Sequence, residues 1–289
     1  MTDPTERNNA DREELLRALK ESPSYVLAYE DVQMMQDDDL RPVRLQLELY
    51  KPEKFLQEHN IRSTIVVFGS ARTMPPDIAR DRLDALREEH KHHPENSALE
   101  RKIARAKRDV EYSQYYEEAR RFSQLVSRDF IQVQRKDFVI VTGGGPGIME
   151  AANRGANDVH AVSAGFNITL PQEQEPNPYI SPELCFRFRY FALRKMHFMM
   201  RAKAVVTFPG GYGTLDELFD ALCLVQTRKV ERMPIVLVGR EFWRRVIDFD
   251  FLVEEGMISA QDVELFNVVE TAQEAVDVIY SFYGGGVPE

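Results

Sequence analysis

The sequence predicts an α/β fold with a doubly wound parallel sheet, helices on both faces, and extra helices at the N-terminus. The strand-like runs are continuously apolar and rich in valine, isoleucine and phenylalanine, which is typical of strands covered on both faces. Helix-like segments separate these runs, which is the chain order of a parallel sheet. The runs that support this prediction are residues 63–68, 138–141, 161–166, 204–208 and 234–238.

Composition changes along the chain and predicts the domain organisation. Residues 1–60 are charged and mixed, with helical patches, so we expect an N-terminal helical extension. Residues 61–283 contain all the strand-like runs and are predicted to form one Rossmann-like domain. A strongly charged helical insertion is expected within it at about residues 75–130, and residues 284–289 are expected to be a C-terminal tail.

The overall charge restricts the kinds of partner. The 289 residues carry a formal net charge of −10, which argues against binding to nucleic acid or an anionic membrane, because both favour a basic surface. No apolar run approaches the roughly 18 residues that span a bilayer, and residues 1–11 are too polar for a signal peptide. We therefore expect a cytoplasmic protein with its two cysteines as reduced core thiols.

The turns after the strands form the candidate site, because ligands of doubly wound sheets bind outside the carboxyl ends of the strands. The first such turn is residues 69–72. Gly69 lets a ligand approach the backbone, and Ser70 and Arg72 can contact a polar group. An ordinary strand-to-helix turn could have the same composition.

Residues 142–150 form a glycine-rich turn that resembles a dinucleotide-binding turn but does not match it. Its glycines, among them Gly144 and Gly145, leave room for a ligand. The G-x-G-x-x-G pattern requires a glycine where Ile148 stands, and the third strand ends near Asn167 and not at an acidic residue. No G-K-[ST] follows the glycines, which excludes a P-loop. The turn predicts nucleotide binding without indicating NAD.

Residues 209–217 give the strongest local signal. Gly210, Gly211 and Gly213 can expose a row of backbone N–H groups, and Thr214 adds a hydroxyl at the start of a helix. With the helix dipole, these groups suit the binding of a phosphate monoester. An alternative for Glu217 is a purely structural role, because Thr214 and Glu217 have the spacing of a capping box.

A cationic helix precedes the fourth strand-like run. At helical spacing on one side it carries Tyr190, Arg194, His197 and Arg201, which predicts either a solvated cationic face or a helix with Arg194 towards the substrate. The histidines at 90, 92 and 93 are interpreted as a solvated helix end, and we expect no metal site.

The Arg194-Lys195 pair followed by residues 209–217 resembles the signature of the LONELY GUY family, formerly mislabelled lysine decarboxylases. The resemblance spans roughly residues 61–283, and residues 69–72 and 142–150 resemble the first two glycine turns of the family. It implies a phosphoribohydrolase that cleaves a nucleoside 5'-monophosphate into free base and ribose 5-phosphate. It also implies a homodimer or larger homo-oligomer, with no cofactor.

The resemblance assigns roles to individual residues. Arg194 and Glu217 would be the catalytic pair. The residues that would bind the substrate are Gly69, Ser70, Gly144, Gly145, Glu150, Glu173, Asn177, Lys195, Gly210, Gly211, Gly213 and Thr214. Glu173 and Asn177 would belong to a substrate-side loop of longer family members.

Three positions depart from the plant-type pattern and leave the preferred base open. Phe191 and Phe198 stand where plant-type members have methionine, and Glu150 stands in place of glycine. AMP is therefore as reasonable a substrate as a cytokinin riboside monophosphate. The alternative function is a non-catalytic carrier of a nucleotide or a phosphorylated cofactor, although a carrier would need the glycines and not the pair of Arg194 and Glu217.

Overall fold

The computed structural model describes residues 4–130, 136–171 and 175–285. The chain divides into two compact units, Met1–Leu49 and Tyr50–Glu289. One helix, α2, contains the division between them.

The first unit is helical. Its elements are α1 (Pro4–Glu21), three short 3₁₀ helices (Pro23–Tyr25, Met34–Gln36 and Asp38–Leu40) and the start of α2 (Arg41–Glu58). The guanidinium of Arg44 ties two of these turns to α2, because its Nη1 donates to the carbonyl oxygens of Met35 at 2.7 Å and Asp37 at 2.6 Å. These are the extra N-terminal helices that the sequence predicts.

The second unit is built on a parallel sheet. Its described strands are β1 (Thr64–Phe68), β2 (Val139–Thr142), β3 (Ser163–Ile168), β4 (Cys185–Phe188), β5 (Ala202–Thr207), β6 (Ile235–Val238) and β7 (Phe266–Val269). They lie in the order β4-β3-β2-β1-β5-β6-β7, and every pairing between neighbours is parallel. The strand order therefore reverses direction between β1 and β5, and such a switch point is where doubly wound sheets bind ligands.

Helices cover both faces of this sheet. Those that follow α2 are α3 (Pro76–His92), α4 (Ser97–Phe130), α5 (Ile148–Asp158), α6 (Phe191–Met200), α7 (Tyr212–Gln226), α8 (Arg240–Val246), α9 (Phe249–Glu254) and α10 (Ala272–Phe282). Short 3₁₀ helices lie at Pro182–Leu184 and Ala260–Leu265. The doubly wound α/β fold is confirmed.

Successive residues of β1 face opposite cores, as the period of a strand requires. Ile65 belongs to the core that contains Phe122 of α4, whereas Val66 belongs to the core that contains Trp243 of α8. The indole N–H of Trp243 donates to the carbonyl of Val238 at 3.0 Å, so this buried polar group is satisfied. Because both faces are buried, β1 is apolar at nearly every position.

The two strands that the sequence analysis missed, β4 and β7, lie at the edges of the sheet. In β4, Cys185 and Arg187 are exposed while Phe186 and Phe188 are buried. The other strands were recognised by their continuous apolar runs. An edge strand with one solvated face has no such run, so this pattern does not reveal it.

The placement of the cysteines corrects one prediction. Cys185 and Cys223 are both free thiols and both exposed, so they are not core residues. Each lies in an amphipathic element with one side towards solvent. No helix in the described ranges is long and apolar enough to cross a membrane.

Candidate active site

Three turns meet at the switch point of the sheet and are tied together by main-chain hydrogen bonds. The amide of Ser70, after β1, donates to the carbonyl of Pro209, after β5, at 3.0 Å. The amide of Ile148, after β2, donates to the carbonyl of Ser70 at 3.1 Å. The turns that the sequence singled out separately therefore form one continuous surface.

Gly144 is needed in the second turn for its conformation. Its φ is +77°, in the left-handed region that glycine adopts without strain. A Cβ there would overlap the side-chain amide of Asn167. Gly144 lies behind the cavity wall, to which its neighbours Gly143 and Gly145 both contribute.

A cavity of about 830 Å³ opens above these turns. It is lined at the carboxyl ends of the strands by Gly69, Ser70, Arg72, Gly143, Gly145, Asn167 and residues 209–214. Helices α6 and α7 contribute Phe191, Arg194, Phe198, Leu215 and Glu217. The cavity therefore brings together the first turn, the third turn and the two residues proposed as the catalytic pair.

The glycine turn leads directly into α7. This helix begins at Tyr212 with Gly211 as its N-cap, and no side chain caps it. Thr214 and Glu217 thus lie inside the helix, so the capping-box interpretation of the pair is wrong. No atom lies within 4 Å of the place where a Cβ would stand on Gly211 or Gly213, so the first turn of the helix is open on that side.

Glu217 is a buried carboxylate of this cavity, with only 6% of its surface exposed. Its Oε1 accepts a hydrogen bond from Arg194 Nη2 at 3.1 Å, and its Oε2 lies 3.8 Å from Lys195 Nζ. Burial raises the pKa of Glu217, while the charges of Arg194 and Lys195 act in the opposite direction. The two consecutive cationic residues of α6 thus lie near different oxygens of the same carboxylate.

Arg194 is held by aromatic rings as well as by Glu217. Its guanidinium carbon lies 5.1 Å from the ring centroid of Phe191 and 5.5 Å from that of Phe198. Its buried Nε has no hydrogen-bond partner among the described residues. The guanidinium therefore retains a buried donor that a ligand acceptor would satisfy.

Lys195 lies outside the wall of this cavity. Its ammonium forms an ion pair with Asp216 at 2.9 Å and lines a second cavity of about 720 Å³. Two further residues of the predicted cationic face do not form a solvated surface. His197 is 3% exposed, and Arg201, the C-cap residue of α6, forms an ion pair with Glu53 at 2.6 Å.

Glu150 and Asn177 hold the second turn, residues 142–150, in place from behind. Glu150 Oε1 accepts a hydrogen bond from the hydroxyl of Tyr116 at 2.7 Å, and burial raises the pKa of that tyrosine. The side-chain amide nitrogen of Asn177 donates to the carbonyl oxygens of Gly144 at 3.2 Å and Gly145 at 3.1 Å. Neither residue lines the cavity.

Glu173, the remaining residue that the resemblance assigns to the substrate, lies outside the described residues. Among the described residues, no group of three or more histidine, cysteine, aspartate and glutamate side chains could hold a metal ion. 

Part of the cavity wall comes from residues that the sequence analysis passed over. Helix α4 contributes Arg105, Arg108, Asp109 and Tyr112, and α8 contributes Phe242. The α4 residues have the spacing i, i+3, i+4, i+7, which places them on one helix face. That spacing was visible in the sequence, but a charged face on a helix usually indicates exposure to solvent alone.

Comparison with known protein families matches residues 149–279 to a family described as "Possible lysine decarboxylase". The relatives include the rice protein "Probable cytokinin riboside 5'-monophosphate phosphoribohydrolase LOGL3", 31% identical over 91 residues, which are 31% of this chain and 43% of that protein. The Arabidopsis thaliana protein "Cytokinin riboside 5'-monophosphate phosphoribohydrolase LOG3" is 27% identical over 151 residues, covering 50% of this chain and 67% of that protein. An Escherichia coli K12 "Pyrimidine/purine nucleotide 5'-monophosphate nucleosidase" is 30% identical over 118 residues, covering 37% and 26% of the two chains.

This chain therefore matches 43% of the length of the first rice protein. It matches 62% of the length of a second rice protein, "Probable cytokinin riboside 5'-monophosphate phosphoribohydrolase LOG4".

Among solved structures, a molybdenum cofactor binding protein from Rippkaea orientalis aligns with a TM-score of 0.42 and 18% identity, over 58% of this chain and 88% of that chain. A Moco carrier protein from Chlamydomonas reinhardtii aligns with a TM-score of 0.45 and 14% identity, over 77% and 99%.

The fold and the cavity at its switch point define an α/β protein with a candidate ligand site at the carboxyl ends of parallel strands. The sequence matches confirm the resemblance of this chain to the LONELY GUY family, to which its Arg194-Lys195 pair and residues 209–217 had pointed.

Proposed function

We propose that this protein hydrolyses the N-glycosidic bond of nucleoside 5'-monophosphates, such as AMP or a cytokinin riboside monophosphate, to give free base and ribose 5-phosphate. The observation that carries the proposal is the pair of half-buried Arg194 and buried Glu217, with Nη2 and Oε1 3.1 Å apart, in the wall of the cavity that the glycine turn also lines. The names of the phosphoribohydrolase and nucleosidase relatives support the same reaction class.

The glycine turn is the proposed phosphate site. The start of α7 offers backbone N–H groups and the positive end of the helix dipole, and both favour a dianionic phosphate. Gly211 and Gly213 have open space beside them, so a phosphate can approach the backbone closely. With the phosphate fixed there, the ribose extends into the cavity towards Glu217, six residues beyond Gly211 on α7.

The proposed chemistry uses Glu217 and Arg194 in different roles. As the bond between the base nitrogen and C1' of the ribose breaks, positive charge develops on the sugar, and the carboxylate of Glu217 stabilises it. A water molecule adds its oxygen to C1', and its proton passes to Glu217. The base leaves with the bonding electron pair and takes a proton from solvent, while Glu217 returns its proton to solvent and is ionised again. Arg194 donates hydrogen bonds that orient the base or the ribose.

The environment of Glu217 fits this role. Its carboxylate must be ionised to stabilise a cation, and burial alone would favour the neutral acid. Arg194 and Lys195 oppose that effect, so the pKa of Glu217 is raised above its usual value by less than burial alone would raise it. A buried carboxylate has few waters around it, so its charge acts more strongly on a nearby sugar than an exposed carboxylate would.

We further propose that the remaining assigned residues act around this centre. Gly69, Ser70 and Gly145 would contact the substrate from the neighbouring turns, while Gly144, Glu150 and Asn177 would hold those turns in place. We also propose a cytoplasmic homodimer or larger homo-oligomer, which light scattering on the purified chain would test.

The decisive experiment is chromatographic analysis of products after incubation with AMP, GMP, CMP, UMP and isopentenyladenosine monophosphate. We expect base and ribose 5-phosphate from at least one substrate. We expect Glu217→Gln to reduce the rate by at least about 100-fold, because it removes the charge that stabilises the transition state.

The matched control is Glu231→Gln, which changes a carboxylate whose side chain is 94% exposed and should leave the rate unchanged. Full activity of Glu217→Gln would remove Glu217 from the mechanism. Nucleotide binding without release of any base by the wild-type chain would refute hydrolysis and leave a carrier.

A further inference from the structure

One face of α4 forms part of the cavity wall, although this segment is a charged insertion in the sequence. Arg105, Arg108, Asp109 and Tyr112 all line the cavity. The aromatic ring of Tyr112 packs edge-to-face on that of Phe242, another wall residue, with centroids 6.4 Å apart. This face of α4 therefore packs against another residue of the cavity wall and forms part of the wall itself.

Two of the charged groups on this face neutralise each other. Asp109 is 9% exposed and accepts hydrogen bonds from Arg105 Nε at 3.1 Å and from Arg82 Nη1 at 3.5 Å. Because Asp109 already serves two guanidinium groups, it has little capacity to neutralise a third.

Arg108 and Arg72 have no such partner. Among the described residues, neither guanidinium forms a hydrogen bond or an ion pair, and both side chains are exposed. Arg72 is fixed through its backbone, since its amide donates to Ser70 Oγ at 3.0 Å. Two unpaired cations from different elements, the turn after β1 and α4, therefore line the same cavity.

The cavity is positively charged within an acidic chain. The described charged side chains that line it are Arg72, Arg105, Arg108, Arg194, Asp109 and Glu217. Four cations thus stand against two anions, while the whole chain has a net charge of −10. Concentrating positive charge in a concave site attracts anionic ligands selectively. The volume of about 830 Å³ lies in the upper part of the roughly 300–1,000 Å³ range of small-molecule sites.

We propose that Arg72 and Arg108 form a second anion subsite, which binds a phosphate group in addition to the 5'-phosphate assigned to the glycine turn. Guanidinium groups bind phosphate through paired, charge-assisted hydrogen bonds, which suits this chemistry. The second phosphate belongs either to the same molecule, as in a nucleoside 3',5'-bisphosphate, or to a separate inorganic phosphate ion. This inference rests on the proposed function for the position of the first phosphate.

The test measures equilibrium binding by calorimetry in full-length protein carrying Glu217→Gln, which is expected to slow turnover by at least about 100-fold. The probes are AMP, adenosine 3',5'-bisphosphate, and inorganic phosphate added to AMP-saturated protein. We expect the bisphosphate to bind about tenfold more tightly than AMP, or inorganic phosphate to bind beside AMP. The first result identifies a bisphosphate ligand, and the second identifies a separate anion.

Substitutions then assign the effect to the subsite. Arg72→Ala and Arg108→Ala should each remove most of the additional affinity and change the affinity for AMP by less than about twofold. The matched control is Arg121→Ala, which changes an exposed arginine on the same helix that does not line the cavity. It should retain the additional affinity.

Four outcomes separate this inference from the proposed function. Equal affinities for AMP and the bisphosphate, with no binding of phosphate beside AMP, would overturn the subsite. If the wild-type chain still releases base, the proposed hydrolysis is unaffected by that result. Equal weakening of AMP and bisphosphate binding in Arg108→Ala would assign Arg108 to the 5'-phosphate and also overturn it. Tight, Arg108-dependent bisphosphate binding without base release would support the subsite and refute hydrolysis. Failure of every nucleotide to bind would overturn both.

Discussion

Glu217 shows how one carboxylate can be buried without losing its charged neighbours. Arg194 reaches its Oε1 and Lys195 approaches its Oε2, so the two oxygens have different partners. Lys195 is itself anchored by Asp216 at 2.9 Å. Because Lys195 lies outside the wall of the cavity with Glu217, we propose that it positions Glu217 and does not contact the substrate.

We expect Lys195→Met to shift the acidic limb of the pH profile of kcat/KM to higher pH. Burial raises the pKa of Glu217 and Lys195 counteracts this, so removing the lysine lets the pKa rise further. The ionised form that stabilises the sugar cation then appears only at higher pH. The profile is measured as base release from AMP across the pH range.

Lys203→Met is the matched control, because Lys203 lines the same second cavity but lies 3.9 Å from Glu231 and is not paired with Glu217. Its profile should match that of the wild type. A large increase in KM with an unmoved acidic limb in Lys195→Met would instead support direct contact with the substrate.

At the residue scale, motif spacing indicated which residue types matter but not the direction of their side chains. Arg194 and Glu217 were selected from sequence and do line one cavity. Asn177 was selected for a substrate loop, yet its amide is occupied by the carbonyls of the second turn. Such pairings depend on packing between segments that are distant in sequence, which spacing along the chain does not encode.

At the scale of single elements, the start of α7 determines the shape of the glycine turn that precedes it. Gly210 packs against the side chain of Thr214, one turn into the helix. The sequence predicted a helix start near Thr214, but the helix begins earlier, at Tyr212. Helix boundaries are set by local backbone contacts of this kind, which capping patterns alone do not resolve.

We expect Gly210→Ala to destabilise the protein by about 1–3 kcal/mol, because overpacking forces backbone and side-chain shifts. A Cβ on Gly210 would lie 2.5 Å from Thr214 Cβ, well inside contact distance. Gly211→Ala meets no atom within 4 Å and should cost less than about 0.5 kcal/mol. Urea unfolding compares the two, and equal destabilisation would contradict this account of the turn.

The edge strands show the limit of pattern recognition at the element scale. Strands covered on both faces, such as β1, have unbroken apolar runs and were found from sequence. In β7, the exposure pattern mixes buried, exposed and intermediate positions, so its apolar signal is weak. Its assignment depends on pairing with β6, which is a property of the sheet and not of the segment.

At the scale of the whole molecule, the strand order explains why distant motifs form one site. β1 lies between β2 and β5, so the turns that follow these three strands adjoin each other. The sequence predicted the sheet and the turns separately, and the rule for switch points connected them. The charged insertion was the part that could not be placed, since helix α4 lines the cavity only through its tertiary packing.

The division of the chain into two compact units leads to a test at this scale. The described cavity-lining residues all lie in the unit Tyr50–Glu289, and α2 begins at Arg41. We therefore expect a chain of residues 41–289, which keeps α2 whole, to fold and to retain base release. Thermal unfolding and product analysis against the full-length chain check this, and a loss of activity in a folded truncation would give residues 1–40 a functional role.

Trp243 gives the molecule a built-in optical reporter. It is the single tryptophan of the chain, 1% exposed, and its N–H is bonded to the carbonyl of Val238. Its ring meets that of Phe242, a residue of the cavity wall, with centroids 5.1 Å apart. Tryptophan fluorescence therefore comes from one apolar environment. Its red shift on unfolding and its intensity changes as ligands fill the cavity both report on a single known position.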